Sequence, residues 1–439
     1  MYIVIQSARK RKLLAVGICV FAGLMFLAAQ RELIAEKLAD YGTLATLKAA
    51  TQIQPENADY HYQLARYYDL VVRDQAAALA QYQQAVRWNP HDSRSWIGLA
   101  DIYGASGDVE HQSAAIDEAI AHAPTSPEVA WVAANLDVAQ GETARALREF
   151  HVVLLSGSEN AAYAVQMAWR INPDVDSLLR DVIPADPGSY LSFLLFLMSK
   201  KDTDGTLKVW DALVSLKQPV ETNRVFDYIR YLLARNAADD APVVWRQATS
   251  LIGAGAYLPS SSNLIVNPSF NMDVLNGGFD WQYHKQSSVT LTLDTNERHD
   301  GHRSLAISFD GPGVSEAGIY QVIAVHPNTT YQFSGYYKNT QIDGAGGPHL
   351  GLQDLYTAQS YFLSPELKDA PDWKYAGGEF TTGPDTKILV LRVRRIPEGS
   401  PIRGKLWIAD FRLVEKPSEV PTLSDRNHKQ EEDPPEGGS

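Results

Sequence analysis

The sequence is poor in cysteine and in positive charge, and both shortages limit what the protein can do. One cysteine in 439 residues excludes an internal disulfide framework, an iron–sulfur site with several cysteine ligands and a cysteine-rich zinc site. The 39 Lys and Arg residues are outnumbered by 52 Asp and Glu residues, which leaves a net charge of −13. Because nucleic-acid-binding proteins usually present a basic patch, this balance argues against nucleic acid as a partner.

Common catalytic motifs are also missing from the sequence. It contains no His-Glu-x-x-His segment, no glycine-rich phosphate-binding loop and no Gly-x-Ser-x-Gly elbow. Carboxylates are abundant, but a glycosidase needs two of them at a defined separation, which a sequence does not reveal. We therefore expect a protein that is not an enzyme.

One long apolar run lies near the N-terminus. Residues 13–29 carry no charge and follow a basic cluster at residues 9–12. The run is just long enough to cross a bilayer, and a basic flank stays on the cytoplasmic side. We therefore predict a cytoplasmic segment at 1–12, a single-pass inner-membrane anchor at 13–29 and an exported, periplasmic or extracytoplasmic remainder. A cleaved signal peptide is the alternative, although a cut after Ala29 would place the bulky Leu27 at an unfavourable position.

A repeat of 34 to 35 residues follows the apolar run. Pro55, Pro90 and Pro124 are spaced at this period, and each follows an alanine five positions earlier. Gly107-Asp108 recurs as Gly141-Glu142, again 34 residues later. This pattern resembles the tetratricopeptide repeat, in which two antiparallel helices form each unit. Helical periodicity persists beyond the clear repeats, so we predict an all-α solenoid over residues 31–257.

A solenoid presents a concave surface on which protein partners usually bind. The first helix of the repeat that ends at Pro90 carries Tyr62, Arg66 and Tyr67. These three side chains are our candidates for the partner-binding groove. Packing within the repeat is an equal alternative for each of them.

The pattern changes at the turn-rich segment Pro259–Ser262, after which period-2 alternation dominates. Eight segments are predicted as strands: Ser287–Leu293, Ser304–Phe309, Ile319–Val325, Thr330–Tyr337, His349–Leu352, Gly378–Thr382, Ile388–Arg395 and Leu406–Leu413. Many short strands with Gly and Pro turns predict a β-sandwich or jelly roll over residues 258–415.

Several motifs in this region carry a family resemblance. They are Asn263–Phe270, Phe279–Trp281, Asp300–Leu305, Tyr320–Val322, Pro327–Ser334, Trp373 and Leu406–Leu413. In this order they resemble the carbohydrate-binding modules of xylanases and related glycanases, which have a galactose-binding-like jelly roll. The resemblance implies a sugar-binding concave sheet, but folds of this kind host many ligands.

Strand alternation suggests which polar side chains face away from the core. We predict a glycan-binding face made of Tyr336, Lys338, Gln353, Arg392 and Arg394. Tyrosine would stack on the C–H face of a sugar and the other side chains would bond its hydroxyl groups. An ordinary solvated sheet face is the alternative.

The resemblance also implies a structural calcium ion near the two ends of the module. Asp410 matches one usual ligand, whereas Asn271 stands where the family usually has an acidic residue. Calcium needs several oxygen ligands, so this departure weakens the prediction. Nearby, His299 and His302 allow two interpretations. They are metal ligands, or they are part of a turn that leads into a strand.

The sequence thus predicts a multidomain membrane protein, with a transmembrane helix, a tetratricopeptide-type solenoid and a jelly roll. Residues 416–439 are rich in Pro, Glu, Asp and Gly and are predicted to be disordered. The function we expect is a non-enzymatic cell-envelope scaffold, in which the solenoid binds a protein and the sandwich binds glycan, in polysaccharide synthesis or export. A purely structural interaction protein and an accessory subunit of a glycan-active enzyme are the alternatives.

Overall fold

The structure, a computed structural model, describes residues 7–417. The start of the predicted cytoplasmic segment and nearly all of the predicted disordered tail therefore lie outside the described residues. The chain divides into two compact units, Met1–Phe196 and Leu197–Ser439. The division differs from the predicted boundary at 257/258, because the last helices are grouped with the strands.

Helices make up the regular structure of the first unit. They are α1 (Ala8–Asp40), α2 (Leu44–Ile53), α3 (Ala58–Tyr67), α4 (Gln75–Trp88), α5 (Ser93–Ser106), α6 (Val109–His122), α7 (Pro127–Gln140), α8 (Thr143–Leu155), α9 (Ala161–Ile171), α10 (Val175–Asp181) and α11 (Pro187–Lys200). A π-helical turn, Tyr68–Val72, continues α3. Helix α11 extends past the division between the units.

Helix α1 is long and apolar enough to cross a membrane, and within residues 7–417 it alone is so. Its 33 residues correspond to about 50 Å at 1.5 Å per residue. Its apolar side chains between Leu13 and Leu27 are exposed, whereas Ala35 and Ala39 near its C-terminus are buried. A signal sequence near the N-terminus also satisfies these criteria of length and composition, so anchoring remains a prediction.

The helices of the first unit follow the predicted 34-residue spacing. Helices α4 and α6 end 34 residues apart, and so do α5 and α7. Gly107 and Gly141 end the first helix of two successive pairs with φ values of 78° and 81°. Glycine adopts this left-handed conformation without strain, so it stops a helix at that point. The helical character and spacing of this region are thus confirmed, while its description as a tetratricopeptide solenoid remains a proposal.

The second unit opens with three further helices. They are α12 (Thr203–Ser215), α13 (Thr222–Ala234) and α14 (Asp240–Leu251). All three lie within residues 31–257, where helical periodicity predicts all-α structure. A short 3-10 turn, Gly255–Tyr257, leads from α14 towards the first strand.

Ten strands follow the helices and form two antiparallel sheets. The strands are β1 (Gln282–Tyr283), β2 (Val289–Asp294), β3 (Ser304–Gly311), β4 (Glu316–Ala324), β5 (Thr330–Gly344), β6 (Gly347–Asp354), β7 (Ser360–Leu363), β8 (Lys374–Thr381), β9 (Ile388–Ile396) and β10 (Ile402–Glu415). Sheet I has the order β1-β4-β9-β6-β7, and sheet II has the order β2-β3-β10-β5-β8. All eight predicted strands are present, which confirms the β-sandwich, and the short strands β1 and β7 are additional.

The core of the sandwich lies between the inner faces of the two sheets. Strand β9 contributes Leu389, Leu391 and Val393 to it, as its alternation predicts, and β5 contributes Phe333. The ring of Phe333 lies 6.2 Å from that of Phe411 on β10. Burial of such large apolar side chains stabilises the fold by about 1.5–3 kcal/mol each.

The outer face of sheet I, which points away from sheet II, is partly covered. Val322 on β4 and Ile388 and Val390 on β9 point outward, yet they are only 4%, 0% and 1% exposed. Helices α13 and α14 lie over this part of the sheet. Side chains of α13 line one cavity with Tyr320 and Val322, and side chains of α14 line a second cavity with Val322 and Lys387. The helices therefore belong to the environment of any site on sheet I.

Candidate functional site

The five residues of the predicted glycan face lie on two different sheets. Tyr336 and Lys338 are on β5 in sheet II, where they pair with Tyr375 and Trp407 of the neighbouring strands. Phe333 and Tyr337, at odd-numbered positions of the same strand, belong to the core, so the even-numbered Tyr336 and Lys338 point outward from sheet II.

The other three residues lie on sheet I. Gln353 is on β6, and Arg392 and Arg394 are on β9, with Arg392 paired to Gly351. Their alternation with the core residues places them on the outer face of sheet I. The prediction of one continuous face is therefore wrong, because the two outer faces lie on opposite sides of the sandwich. The binding role of each individual residue stays a prediction.

Tyr336 on sheet II is covered by an imidazole ring. The His299 ring stacks on it at a centroid distance of 3.9 Å and an interplanar angle of 18°. Tyr375 meets the Tyr336 ring edge-on at 5.8 Å and is itself 55% exposed. Lys338 donates from Nζ to Glu297 at 2.8 Å. Because His299 occupies one face of Tyr336, that face is closed to a sugar ring.

The outer face of sheet I carries a chain of charged contacts. Arg392 donates from Nη1 to Glu316 at 3.3 Å, and His284 Nε2 lies 3.1 Å from the other oxygen of Glu316. Arg394 pairs with Glu398 at 3.2 Å. The Nε atom of Arg392 is buried and has no hydrogen-bond partner within the described residues. Arg392 and Arg394 thus provide a donor-rich surface next to the covered part of the sheet.

A cavity lies between α13 and this outer face, and we call it the α13 cleft. It has a volume of about 340 Å³, and its lining comprises Phe226, Ile229, Arg230, Leu233, Ala234, Gly277, Gly278, Gln282, Tyr320, Val322, Leu355 and Tyr356. The Tyr320 hydroxyl donates to Gln282 Oε1 at 3.1 Å. Burial raises the pKa of Tyr320, against the opposing charges of Arg230 and Arg392. Two guanidinium groups, one from the helix and one from the strand, therefore act on the same phenol.

Sequence reasoning missed Arg230 and Tyr356 as candidate site residues. Tyr320 stood within a motif that carries the family resemblance, but no role was assigned to it. Arg230 occupies a helix that precedes the sandwich, and no local pattern connects it with β4. Only the packing of the helix on the sheet brings Arg230 and Tyr320 into one cavity.

The structure brings the predicted calcium ligands Asn271 and Asp410 to the same turn. Asn271 Oδ1 accepts from the His302 backbone N–H at 2.7 Å. One Asp410 oxygen accepts from His299 Nδ1 and from the Asp300 backbone N–H, each at 2.8 Å, and the other accepts from the Ser269 hydroxyl. Because a carboxylate can only accept, His299 Nδ1 carries the proton in this contact.

These contacts do not fit a calcium site. Calcium takes about six to eight oxygen ligands at short range. Among the described His, Cys, Asp and Glu residues, His299, Asp300 and Asp410 bring ligand atoms within 4.8 Å of one another here, and one of those three atoms is an imidazole nitrogen. The carboxylate of Asp410 is already bonded by N–H and O–H donors. The interpretation of His299 and His302 as part of a turn that leads into a strand is confirmed, since β3 begins at Ser304.

The three candidate groove residues of α3 have different surroundings. Tyr62 is half-buried, and the guanidinium groups of Arg94 and Arg66 lie 4.7 Å and 5.8 Å from its ring centre. Arg66 itself is exposed, whereas Tyr67 packs against the buried cluster of α1, α2 and α3. Tyr67 and Tyr62 therefore both have a packing role, since Tyr62 packs in the same way against the next buried cluster. Of the three residues, Arg66 is the one at an exposed position.

Comparison with known proteins supports the description of the sandwich. Residues 262–398 match a family model described as a carbohydrate binding domain, CBM_4_9. A family 16 carbohydrate-binding module is 24% identical, over 35% of this chain and 100% of its own, with a TM-score of 0.26. The CBM22-1 xylan-binding domain of Paenibacillus barcinonensis Xyn10C is 16% identical, over 34% of this chain and 90% of its own, with a TM-score of 0.23.

A TPR protein is also among the similar solved structures. YrrB, a TPR protein with an unusual peptide-binding site, is 13% identical, over 48% of this chain and 93% of its own, with a TM-score of 0.24. A comparison with curated protein sequences found no match. The C-terminal part of the chain is thus similar to carbohydrate-binding modules, on a two-sheet sandwich that follows a helical region.

Proposed function

We propose that this protein is a non-enzymatic, membrane-anchored scaffold of the cell envelope that binds glycan through its C-terminal sandwich. The match of residues 262–398 to a carbohydrate-binding family carries the glycan part of the proposal. The basic and apolar segments at the N-terminus support a single-pass anchor with an exported remainder. A role in polysaccharide synthesis or export would use both the membrane-anchored scaffold and the glycan-binding module.

The glycan site in this proposal is the outer face of sheet I. Arg392, Arg394 and Gln353 provide hydrogen-bond donors there, and the aromatic residues Tyr320 and Tyr356 stand beside them. Sugars are bound by this combination, because aromatic rings pack on C–H faces while polar groups fix the hydroxyls. On sheet II, by contrast, one face of the Tyr336 ring is already covered by His299.

Glycan binding is tested with the full chain in detergent micelles against an array of plant and bacterial oligosaccharides. We expect at least one glycan to bind, and Arg394→Ala and Gln353→Ala to weaken that binding. Tyr375→Ala, on the outer face of sheet II, is the matched control and should bind like the wild type. Binding that is lost only in Tyr375→Ala would move the site to sheet II. Absence of binding to every glycan would overturn the glycan function and favour the purely structural interaction protein.

The helical region in this proposal is a tetratricopeptide-type solenoid that binds a protein partner. The 34-residue spacing of the helices supports it, and α3 offers the exposed Arg66 beside the partly exposed ring of Tyr62. Photo-cross-linking from position 66 in intact cells should capture a partner that position 148, on exposed Arg148 of α8, does not. Equal capture at both positions would contradict a partner site on α3.

The anchor is tested by fractionation of cells that express the full chain. We expect the protein in the membrane fraction with its N-terminus intact, and released by detergent but not by high salt. A mature protein that starts after residue 29 and is soluble would show that the segment is a signal peptide.

The same extract, assayed for release of reducing sugars from the bound glycan, should show no hydrolysis.

A further inference from the structure

We propose that α13 completes the glycan site, so that the α13 cleft receives the end of a glycan chain and not its interior. The proposal rests on the glycan binding of the sandwich and names the part of the ligand that is recognised. A sugar at the chain end would pack against Tyr320 and Tyr356, while Arg230 binds its hydroxyl groups. One guanidinium nitrogen of Arg230, Nη1, also donates to Asp227 at 3.0 Å, and the remaining donors of Arg230 are the ones proposed to bind the sugar.

Helices α13 and α14 approach the loop before β1 closely, because two glycines of that loop lie under them. A Cβ atom on Gly277 would lie 2.3 Å from the Phe226 ring, and one on Gly278 would lie 2.3 Å from the Trp245 ring. No real side chain has such contacts, so any larger residue would push the helices away from the loop. The loop is therefore shaped to receive α13 and α14.

Polar contacts hold α14 and the segment after it against the sandwich. Lys387, just before β9, pairs with Asp239 at the start of α14. Trp245 donates from Nε1 to the Tyr257 carbonyl at 3.1 Å, and the Tyr257 hydroxyl donates to the Asp273 carbonyl at 2.8 Å. Because the helices are held in this way, the α13 cleft is part of the folded structure of the second unit.

The lining of the α13 cleft has the chemistry of a sugar site. Apolar side chains of α13, among them Ile229 and Leu233, form one wall, and tyrosines of the sandwich form the other. Tyr356 is 38% exposed at the cleft, so its ring is open to a ligand. Arg230 adds a planar guanidinium with several donors in fixed directions, which suits a pair of neighbouring hydroxyls. Small-molecule sites generally combine apolar walls with few polar groups in this way.

The covered part of sheet I explains why only a chain end fits. A polysaccharide that runs along the outer face would have to cross Val322, Ile388 and Val390, which are almost fully buried. The helices block that path. The volume of about 340 Å³ lies at the lower end of the range for small-molecule pockets, which fits one or two sugar units.

The test compares the full chain and its variants for binding to short oligosaccharides of glucose, mannose, galactose and xylose and to the corresponding polymers. We expect Arg230→Ala and Tyr356→Ala to weaken binding about tenfold or more, the scale of one lost hydrogen bond to a charged group. Arg224→Ala is the control, because Arg224 lies on the same helix, pairs with Glu221 and does not line the cleft. Unfolding temperatures of all variants should match that of the wild type.

Stoichiometry gives an independent readout of end recognition. A chain-end site binds one protein per recognised end however long the polymer is, whereas a site for the chain interior binds more proteins as the polymer lengthens. Several proteins per linear chain, or wild-type affinity in both Arg230→Ala and Tyr356→Ala, would overturn the inference and leave glycan binding intact. Absence of binding to every saccharide would instead overturn the proposed function, and the inference with it.

Discussion

His299 and Asp410 form a 2.8 Å hydrogen bond although 111 positions separate them in the sequence. The contact joins the turn before β3 to the middle of β10, so it fastens an early part of the sandwich to its last strand. The same imidazole stacks on Tyr336 of β5. One histidine thus links three segments of the module.

The first prediction concerns this linkage. The Asp410 carboxylate accepts hydrogen bonds on both of its oxygens, and Asp410→Asn replaces one oxygen with an NH2 group that cannot accept. We therefore expect a loss of about 1–3 kcal/mol in the free energy of unfolding. Asn tolerates the positive φ of 52° at this position, so the loss reports on the side chain. Urea denaturation of the full chain measures it. Asp372→Asn is the control, since Asp372 lies at an exposed position, and an equal loss there would contradict the assignment.

The second prediction concerns metal ions. Hydrogen bonds already satisfy the Asp410 carboxylate and Asn271 Oδ1, so calcium should add no stability to the module. We expect the same unfolding temperature in excess chelator and in excess calcium, measured by calorimetry. A clear rise in calcium that Asp410→Asn abolishes would show that the residues bind the ion after all.

The third prediction concerns pH. Asp280 is fully buried, one of its oxygens accepts from the Leu275 N–H, and burial raises the pKa of its carboxyl to about 6 from 3.8. Between these values the unfolded chain loses the proton while the folded chain keeps it, so stability falls as pH rises from about 4 to 6. The penalty at neutral pH is about 3 kcal/mol.

Asp280→Asn should remove this dependence, because an amide does not ionise. We expect the variant to be more stable than the wild type at pH 7 and equally stable near pH 4. Denaturation curves over the pH range measure the effect. Asp372→Asn, at an exposed position, should leave the wild-type slope unchanged, and the same slope in Asp280→Asn would refute the assignment.

The fourth prediction concerns the seating of the helices. Gly277→Ala introduces a Cβ atom into the Phe226 ring, so α13 must shift from the loop. Overpacking of this kind costs about 1–3 kcal/mol, and the α13 cleft should also lose its shape. Gly255→Ala meets no atom within 4 Å and serves as the control. Calorimetry and tryptophan fluorescence of the full chain detect the change, and wild-type behaviour of Gly277→Ala would contradict close packing.

The fifth prediction concerns the first unit. Arg145 on α8 donates to Asp117 at 2.8 Å and lies 3.3 Å from the buried carboxylate of Asp137. Burial raises the pKa of Asp137, and Arg145 opposes that rise. Arg145→Ala leaves a buried charge without its partner, so we expect a loss of about 1–3 kcal/mol. Arg148→Ala, one turn away and exposed, should be neutral, and a similar loss there would point to helix propensity instead.

Local patterns predicted most of the secondary structure. The period-2 alternation of β9 and the alanine and glycine spacing of α4 to α7 each depend on a few neighbouring residues, so a sequence reveals them. The strands β1 and β7 were missed because two and four residues are too short to show a period. The division between the two compact units at 196/197 leaves no mark in the sequence, because helical periodicity does not tell which unit a helix packs against.

The sequence by itself determined the helical region, the apolar N-terminal segment, the sandwich and the outward direction of the polar side chains on each strand. Only the tertiary structure decided that Tyr336 and Arg392 point away from opposite sheets. Alternation along a strand tells which side chains face the core and which face away from it. A sandwich has two outer faces, however, and the order of the strands in the sheets decides on which of the two a residue lies. In the same way, Arg230 joins Tyr320 in one cleft only because a helix packs on a sheet, a contact between distant residues that no local pattern records.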